Sequence, residues 1–414
     1  MTTKLLEGLT VIENSLLGPG FVGTFLADLG ADVIKVESPA GDYIRQMTWP
    51  IVEGVSLLHL HTHRGKKSIT LDLKRPEGRE LYRQLVTKAD AVIEAMRPGS
   101  LDKLGLGFSD LAQINPRIVL VTISGYGMTG PYKDMPSHGI AYDTWAGLIK
   151  PVTDDDGFTH IPPDMPNIGI NTGPMLAAVG LLAAVLHARA SGQGTHLEVA
   201  QSDAAAYTDW YRIESFLAYE RPDTEVTGNP SDNYVRRPPG LAGMWDGVRY
   251  QIYESADGYV LFMASEQAFW RNFCAGVDRM DLFERWPGAT YADHATGNRE
   301  LQRELRDIFR TRTTAQWLEF GDEHNTTLAP VNTSASIGND PQFHDRLEWL
   351  PASAVGCDQL PLPVKIVGEP TPAPPSKAPT VGQHNEEVVR QLGYSQQQYQ
   401  DLLAAGAFGP NAAR

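Results

Sequence analysis

The chain has 414 residues, 42% hydrophobic and 21% charged, with a net charge of -15 at neutral pH. That length provides for two or three domain-sized units and a sizeable core, while the acidic balance argues against nucleic acid or an anionic membrane as a partner. Two cysteines, Cys274 and Cys357, fit neither a disulfide framework nor a metal cluster. The N-terminal stretch lacks an apolar core of signal-peptide length, so the expected compartment is the cytoplasm.

Strand and helix signals alternate through the first 200 residues. Residues 9–13 read as a strand, the Gly-Pro-Gly at 18–20 as a turn, and 21–29 as a short helix. Residues 32–36 form a second strand. An amphipathic helix is expected over 77–88, with Leu81, Leu85 and Val86 at helical spacing, followed by a strand at 91–93. Another helix covers 109–114, and a near-continuous apolar strand covers 118–124. Apolar strands alternating with helices predict a parallel sheet covered on both faces, an α/β fold. The longest apolar run, 174–186, is too short for a bilayer and reads as a buried helix.

Beyond residue 201 the pattern changes. Residues 203–225 read as helical and aromatic, with Tyr207, Trp210, Tyr211 and Phe216 as core or subunit-interface candidates. A Pro/Gly-rich connector fills 227–247, and a hairpin is expected from 249–253 and 259–263 around an Asp-Gly turn. A helical stretch runs through 266–320, a strand and then a Pro-rich loop through 364–379, and two short helices through 385–404. The implied division is 1–205 for the first part of a large domain, 206–247 for linker helices and connector, 248–330 for a small domain, and 331–414 for a return to the large one.

Two clusters invite a chemical reading. Arg64, Lys66, Lys67, Lys74 and Arg75 surround Gly65, a composition suited to phosphate oxygens. The plainer reading is a solvated charged loop. His59, His61 and His63 would share a face if this segment were a strand. No carboxylate or cysteine stands at zinc-site spacing, so a loop or interface role is expected and no metal.

Several blocks recur in a telling order: LADLGADVIKVE at 26–37, with Gly41, Asp42 and Arg45 following; RGKKSITLDLK at 64–74; RPGSLDKLGLG at 97–107; SGYGMTGPY at 124–132; SGQG at 191–194; and GQHN at 382–385. Together they resemble the class III CoA-transferases, the carnitine and formyl-CoA type. The resemblance implies a Rossmann-like large domain with a smaller α+β domain, an interlocked dimer, and coenzyme A or acyl-CoA as a substrate, with no tightly bound cofactor. It places Leu16 and Leu17 in a first CoA-contacting loop, Arg64, Gly65, Lys66 and Lys67 in a second, and Met96, Arg97 and Lys103 in a third. One departure is Ala95, where the family often carries Asn. His138 matches a catalytic histidine of the related α-methylacyl-CoA racemases.

By the same resemblance a nucleophilic Asp stands four residues before the glycine that opens an Ala-rich helix. That glycine is Gly173 in the stretch NIGINTGP at 167–174, and the nucleophile position is Gly169. A glycine cannot attack a thioester. Gly139 also replaces a frequently acidic residue. Asp143, Asp164 and Asp203 are the nearest carboxylates in sequence, with helix-start and turn roles as their plainer readings. The resemblance extends to heteromeric, succinyl-CoA-dependent members of aromatic degradation such as the benzylsuccinate type. The leading expectation is therefore a subunit without the nucleophile, acting beside a homologous catalytic subunit. The alternatives are a stand-alone transferase using another carboxylate, an acyl-CoA racemase or isomerase using His138, and a CoA-binding protein without activity.

Overall fold

Six short stretches of the first unit pair as parallel strands because their apolar side chains need cover on both faces. The computed structural model describes residues 2–165, 167–228, 234–236, 244–288 and 294–409. The chain divides into two compact units, one of Met1–Thr208 with Leu347–Arg414, the other of Asp209–Arg346.

In the first unit β1 (Thr10–Asn14) leads through α1 (Phe21–Asp28) to β2 (Asp32–Glu37). A small hairpin of β3 (Ile51–Val52) and β4 (Val55–Ser56) precedes α2 (Leu57–His63) and β5 (Lys67–Thr70). Next come α3 (Pro76–Val86), β6 (Ala91–Glu94), α4 (Phe108–Ile114), β7 (Val119–Ser124) and α5 (Ile140–Trp145). The exposed hairpin of β8 (Val152–Thr153) and β9 (Thr159–His160) is followed by α6 (Ile168–Ser191), β10 (His196–Ala200) and α7 (Gln201–Thr208).

The large sheet has the order β10-β7-β6-β1-β2-β5, every pairing parallel. Counted along the chain this is the 3-2-1-4-5-6 order of a Rossmann-type sheet. One face is covered by α1 and α6 through Val22, Leu26, Ala177, Leu181 and Val185; the other carries Leu81, Leu85 and Leu111 of α3 and α4. The chain leaves the middle of the sheet in opposite directions after β1 and β6, which opens a crevice at the carboxyl ends of those strands.

The second unit holds α8 (Trp210–Tyr219) and an antiparallel sheet of β11 (Tyr250–Glu254), β12 (Tyr259–Met263) and β13 (Leu328–Pro330). The first two strands make the expected hairpin, closed by Ser255 N–H donating to Gly258 O at 3.0 Å. Around the sheet lie α9 (Gln267–Gly276), α10 (Met280–Arg285), α11 (Arg299–Phe309) and α12 (Thr314–Glu323). Their core is aromatic, with Phe262, Trp270, Phe273, Phe309 and Trp317 buried together.

Four expectations need correction. The helical stretch at 266–320 is broken into separate helices, since Gly276 and Pro287 interrupt it. No strand forms at 364–366, where Pro361 and Pro363 withhold N–H donors and Val364 is half exposed. The apolar run at 174–186 sits inside a 24-residue helix, long and apolar enough by length and composition to cross a membrane; one of its faces packs on the sheet. Of the two roles expected of the aromatic cluster, core is excluded and subunit interface is not: Tyr207, Trp210, Tyr211 and Phe216 are all exposed in the single chain. Of the expected connector, residues 229–233 and 237–243 lie outside the described residues.

Candidate active site

A cavity of about 320 Å³ opens in the crevice at the carboxyl ends of the strands. Its walls are residues 16–19 after β1, 95–98 after β6, 123–126 at the end of β7, and 133–139, with Tyr43, Tyr142, Ile170 and Gln201 completing them. The first of these loops is under backbone strain. Leu17 sits at φ 56° and ψ -137°, a conformation that costs a residue with a side chain on the order of 1–3 kcal/mol. The surrounding structure must hold it there.

At the start of α6, beside this cavity, Gly169 is fully packed. A Cβ at that position would lie 2.8 Å from Tyr142 Cβ, 2.9 Å from the backbone oxygen of Gln201 and 3.2 Å from Ala205 Cβ. These neighbours come from α5 and α7, and two of the three closest atoms are β-carbons fixed to the backbone. The position thus lacks the room for a carboxylate as well as the carboxylate itself.

The nearby acids are accounted for. Asp143 is fully buried and accepts Gly169 N–H at 2.8 Å and Ile168 N–H at 3.1 Å, satisfying two of the orphan donors at the start of α6. Burial raises its carboxyl above the ordinary value, and the two backbone bonds oppose the rise. Asp164 and Asp203 are exposed and do not line the cavity. Among the described residues the one carboxylate in the wall is Asp134, which sequence reasoning passed over for want of a motif around it.

The cavity brings together Leu16, Leu17, Met96, Arg97 and His138 from three separate loops. It does not include Arg64, Gly65, Lys66, Lys67 or Lys103. Arg64 points inward, donating to both carboxylate oxygens of Asp28 at 3.2 and 2.7 Å. Lys66 is buried against Glu13 at 2.7 Å. Neither matches the solvated basic loop expected from composition, because a charge enclosed in this way stays paired. Lys67 is half-buried, with Asp32 and Glu387 at 3.1 and 3.4 Å. Arg97 and Lys103 are exposed.

The histidines are helical rather than extended. Ser56 caps α2 by accepting His59 N–H at 3.1 Å, so His59 and His63 stack one turn apart with ring centroids 4.1 Å from each other. His61 lies elsewhere on the helix, against Arg64 at 2.9 Å. Burial, reinforced by neighbouring cations, lowers all three pKa values: His59 to about 3, His61 to about 4, and His63 well below its ordinary value. They are neutral at pH 7.

At the inner wall Tyr142 and Ser137 hydroxyls approach within 3.3 Å, and the carbonyl oxygen of the buried Gln201 side chain has no hydrogen-bond partner among the described residues. Serine, tyrosine, histidine and amide groups therefore converge on the cavity, the mixture expected where a polar ligand is oriented. Tyr43, Tyr142, Ile170 and Gln201 carry no motif that would have singled them out.

A Rossmann-ordered sheet with a cavity at its topological switch point, walled by the loops after its first and fourth strands, is the architecture in which open α/β proteins place their ligands. The chain belongs to CoA-transferase family III, whose model matches residues 6–385. It is 30% identical to the succinyl-CoA–L-malate CoA-transferase beta subunit of Chloroflexus aurantiacus, over 97% of each chain. It is 29% identical to the succinyl-CoA:(R)-benzylsuccinate CoA-transferase subunit BbsE of Thauera aromatica, over 94% of this chain and 95% of that one. Among solved structures, the hypothetical protein Rv3272 of Mycobacterium tuberculosis superposes with a TM-score of 0.73 at 25% identity, covering 94% of this chain and all of the other.

Proposed function

We propose that this chain is the non-nucleophilic subunit of a heteromeric CoA-transferase, which moves CoA from an acyl-CoA donor, succinyl-CoA first among candidates, to an organic carboxylic acid. The observation that carries this reading is the closed space around Gly169. A site that had merely lost its Asp would keep a gap where the side chain had been. Here residues of α5 and α7 pack against the position instead, as expected of one relieved of catalytic duty. Two relatives whose names denote subunits support the same reading. The cavity would still take a CoA thioester, with Leu16, Leu17, Met96 and Arg97 against it and the exposed Lys103 available to its phosphates. In this reading the nucleophilic Asp belongs to a homologous partner subunit in the cytoplasm.

Exchange of labelled succinate into succinyl-CoA tests the proposal, because it requires the covalent carboxylate and no knowledge of the acceptor acid. The chain alone is expected to be silent, and the chain co-expressed with a homologue that carries the Asp is expected to exchange. Robust exchange by the lone chain would refute the proposal. An Asp134→Asn variant would then show whether the cavity's own carboxylate has taken over the nucleophile's role.

A further inference from the structure

Beside the cavity loop of residues 16–19 lies a set of fully buried charges, two of which, Lys35 and Lys66, fall within the blocks that carry the family resemblance. Glu13 is the last residue but one of β1, Lys35 stands in β2, and Lys66 sits in the turn before β5; all three are buried. Glu13 receives both lysines, Lys35 Nζ at 3.1 Å on one oxygen and Lys66 Nζ at 2.7 Å on the other. Each lysine also donates to a backbone carbonyl. Lys35 reaches Ser15 O, and Lys66 reaches Gly20 O at 2.6 Å. Those two carbonyls bracket the cavity loop that contains the strained Leu17. The helix alongside leaves space for the arrangement: a Cβ at Gly23 would fall 1.8 Å from a Glu13 oxygen.

We infer that Glu13, Lys35 and Lys66 form a clamp that positions the loop of residues 15–20 for its ligand, and that binding of a CoA thioester depends on Lys66 holding its proton. The second half rests on the proposed CoA site; the first does not. The three residues are positioning residues, since none of them lines the cavity. A buried ion pair is weak evidence of stability, but it is well suited to fixing one geometry among several. Here it fixes both ends of a loop whose middle is strained, so releasing either end lets Leu17 relax and the cavity wall shift.

Lys66 faces Glu13 from β1, Lys35 from β2, Asp42 from the turn after β2, and His59 and His63 from α2. Burial lowers its pKa most; Glu13 raises it and Lys35 lowers it, and the result is about 8. Above that value the ammonium loses its proton and the ion pair to Glu13 lapses. Global stability runs the other way. The unfolded lysine keeps its proton up to its ordinary value of 10.5, so this group's contribution to stability rises between about 8 and 10.5. Affinity and stability therefore separate with pH.

The test is calorimetric titration of the full chain with acetyl-CoA, which lacks a free thiol, from about pH 7 to about pH 9.5. The expected result is a Kd that is level near neutrality and about tenfold weaker at about pH 9, as the competent fraction falls. Lys66→Met is expected to bind weakly at every pH, with the slope gone. A level profile in the unaltered chain would overturn the inference while leaving the CoA site intact. Absence of binding at neutral pH would overturn the CoA reading and the binding half of the inference with it. The clamp is then judged by hydrogen exchange of the backbone amides of residues 15–18 and 20 in the free chain. Their protection, corrected for intrinsic rates, should fall above about pH 8 while that of α6 does not. Unchanged protection would refute the clamp, whether or not the variant folds.

Discussion

At position 169 the limiting quantity is space. An Asp introduced there must move Tyr142 or the backbone of Gln201, with first contacts at 2.8 and 2.9 Å. It would also bring a second carboxylate toward the buried Asp143. Overpacking of this kind costs about 1–3 kcal/mol, and the like charge adds to it. Gly169→Asp is therefore expected to unfold at lower denaturant than the unaltered chain and to gain no succinate exchange; recovered exchange would show that the closure is not what silences the site. Asp143→Ala is expected to cost about 1–2 kcal/mol, through loss of the acceptor that caps α6. The glycine at the position where the resemblance expects the nucleophile was legible in the sequence, because the motif around Gly173 numbers that position. The missing room was not, since it is made by Tyr142 and Ala205 on two other helices, and no pattern in either helix records where they meet.

At the scale of elements, the strands and helices of the first unit were legible wherever a hydrophobic period ran unbroken, as in β7 and α3. The histidines at 59–63 would share one face only on a strand, and nothing in that alternation marked the segment as helical. The deciding residue is Ser56, whose cap on His59 N–H starts a helix instead. That outcome buries His59 and His63 almost completely and gives stability a pH dependence. These histidines have folded pKa values far below the ordinary 6.5, so the unfolded chain takes up protons first as the solution is acidified. Their contribution is intact above 6.5 and is lost as pH falls from there toward about 4, where the folded His61 is itself half protonated. Each group can supply a slope of at most about 1.4 kcal/mol per pH unit in that window. Urea unfolding at a series of pH values should show the midpoint falling below 6.5, and His61→Gln should reduce the slope. A midpoint independent of pH between 6.5 and 5 would count against neutral buried histidines.

For the whole molecule, a parallel sheet covered on both faces was legible in the alternation of apolar strands and helices, and its Rossmann-like form was implied by the family resemblance, whereas the exposed apolar surfaces were not legible. Helix α6 shows why. Its sequence is apolar all round, which reads as full burial, yet only one face meets the sheet. The opposite face leaves Met175, Val179 and Leu186 at 53%, 66% and 69% exposure, spaced to form one stripe. An apolar stripe on a chain of net charge -15 is costly to leave in water, and such patches mark interaction sites. In the proposed heteromer the stripe is covered by the homologous subunit. Val179→Glu combined with Leu186→Glu should then abolish co-purification and the exchange activity of the pair. Folding of the chain itself should change by no more than about 0.5 kcal/mol, because neither side chain belongs to its core. Light scattering of the co-expressed pair, with circular dichroism of the isolated variant, separates the two effects. A double variant that still assembles would place the partner on another face and leave the stripe without a role in assembly.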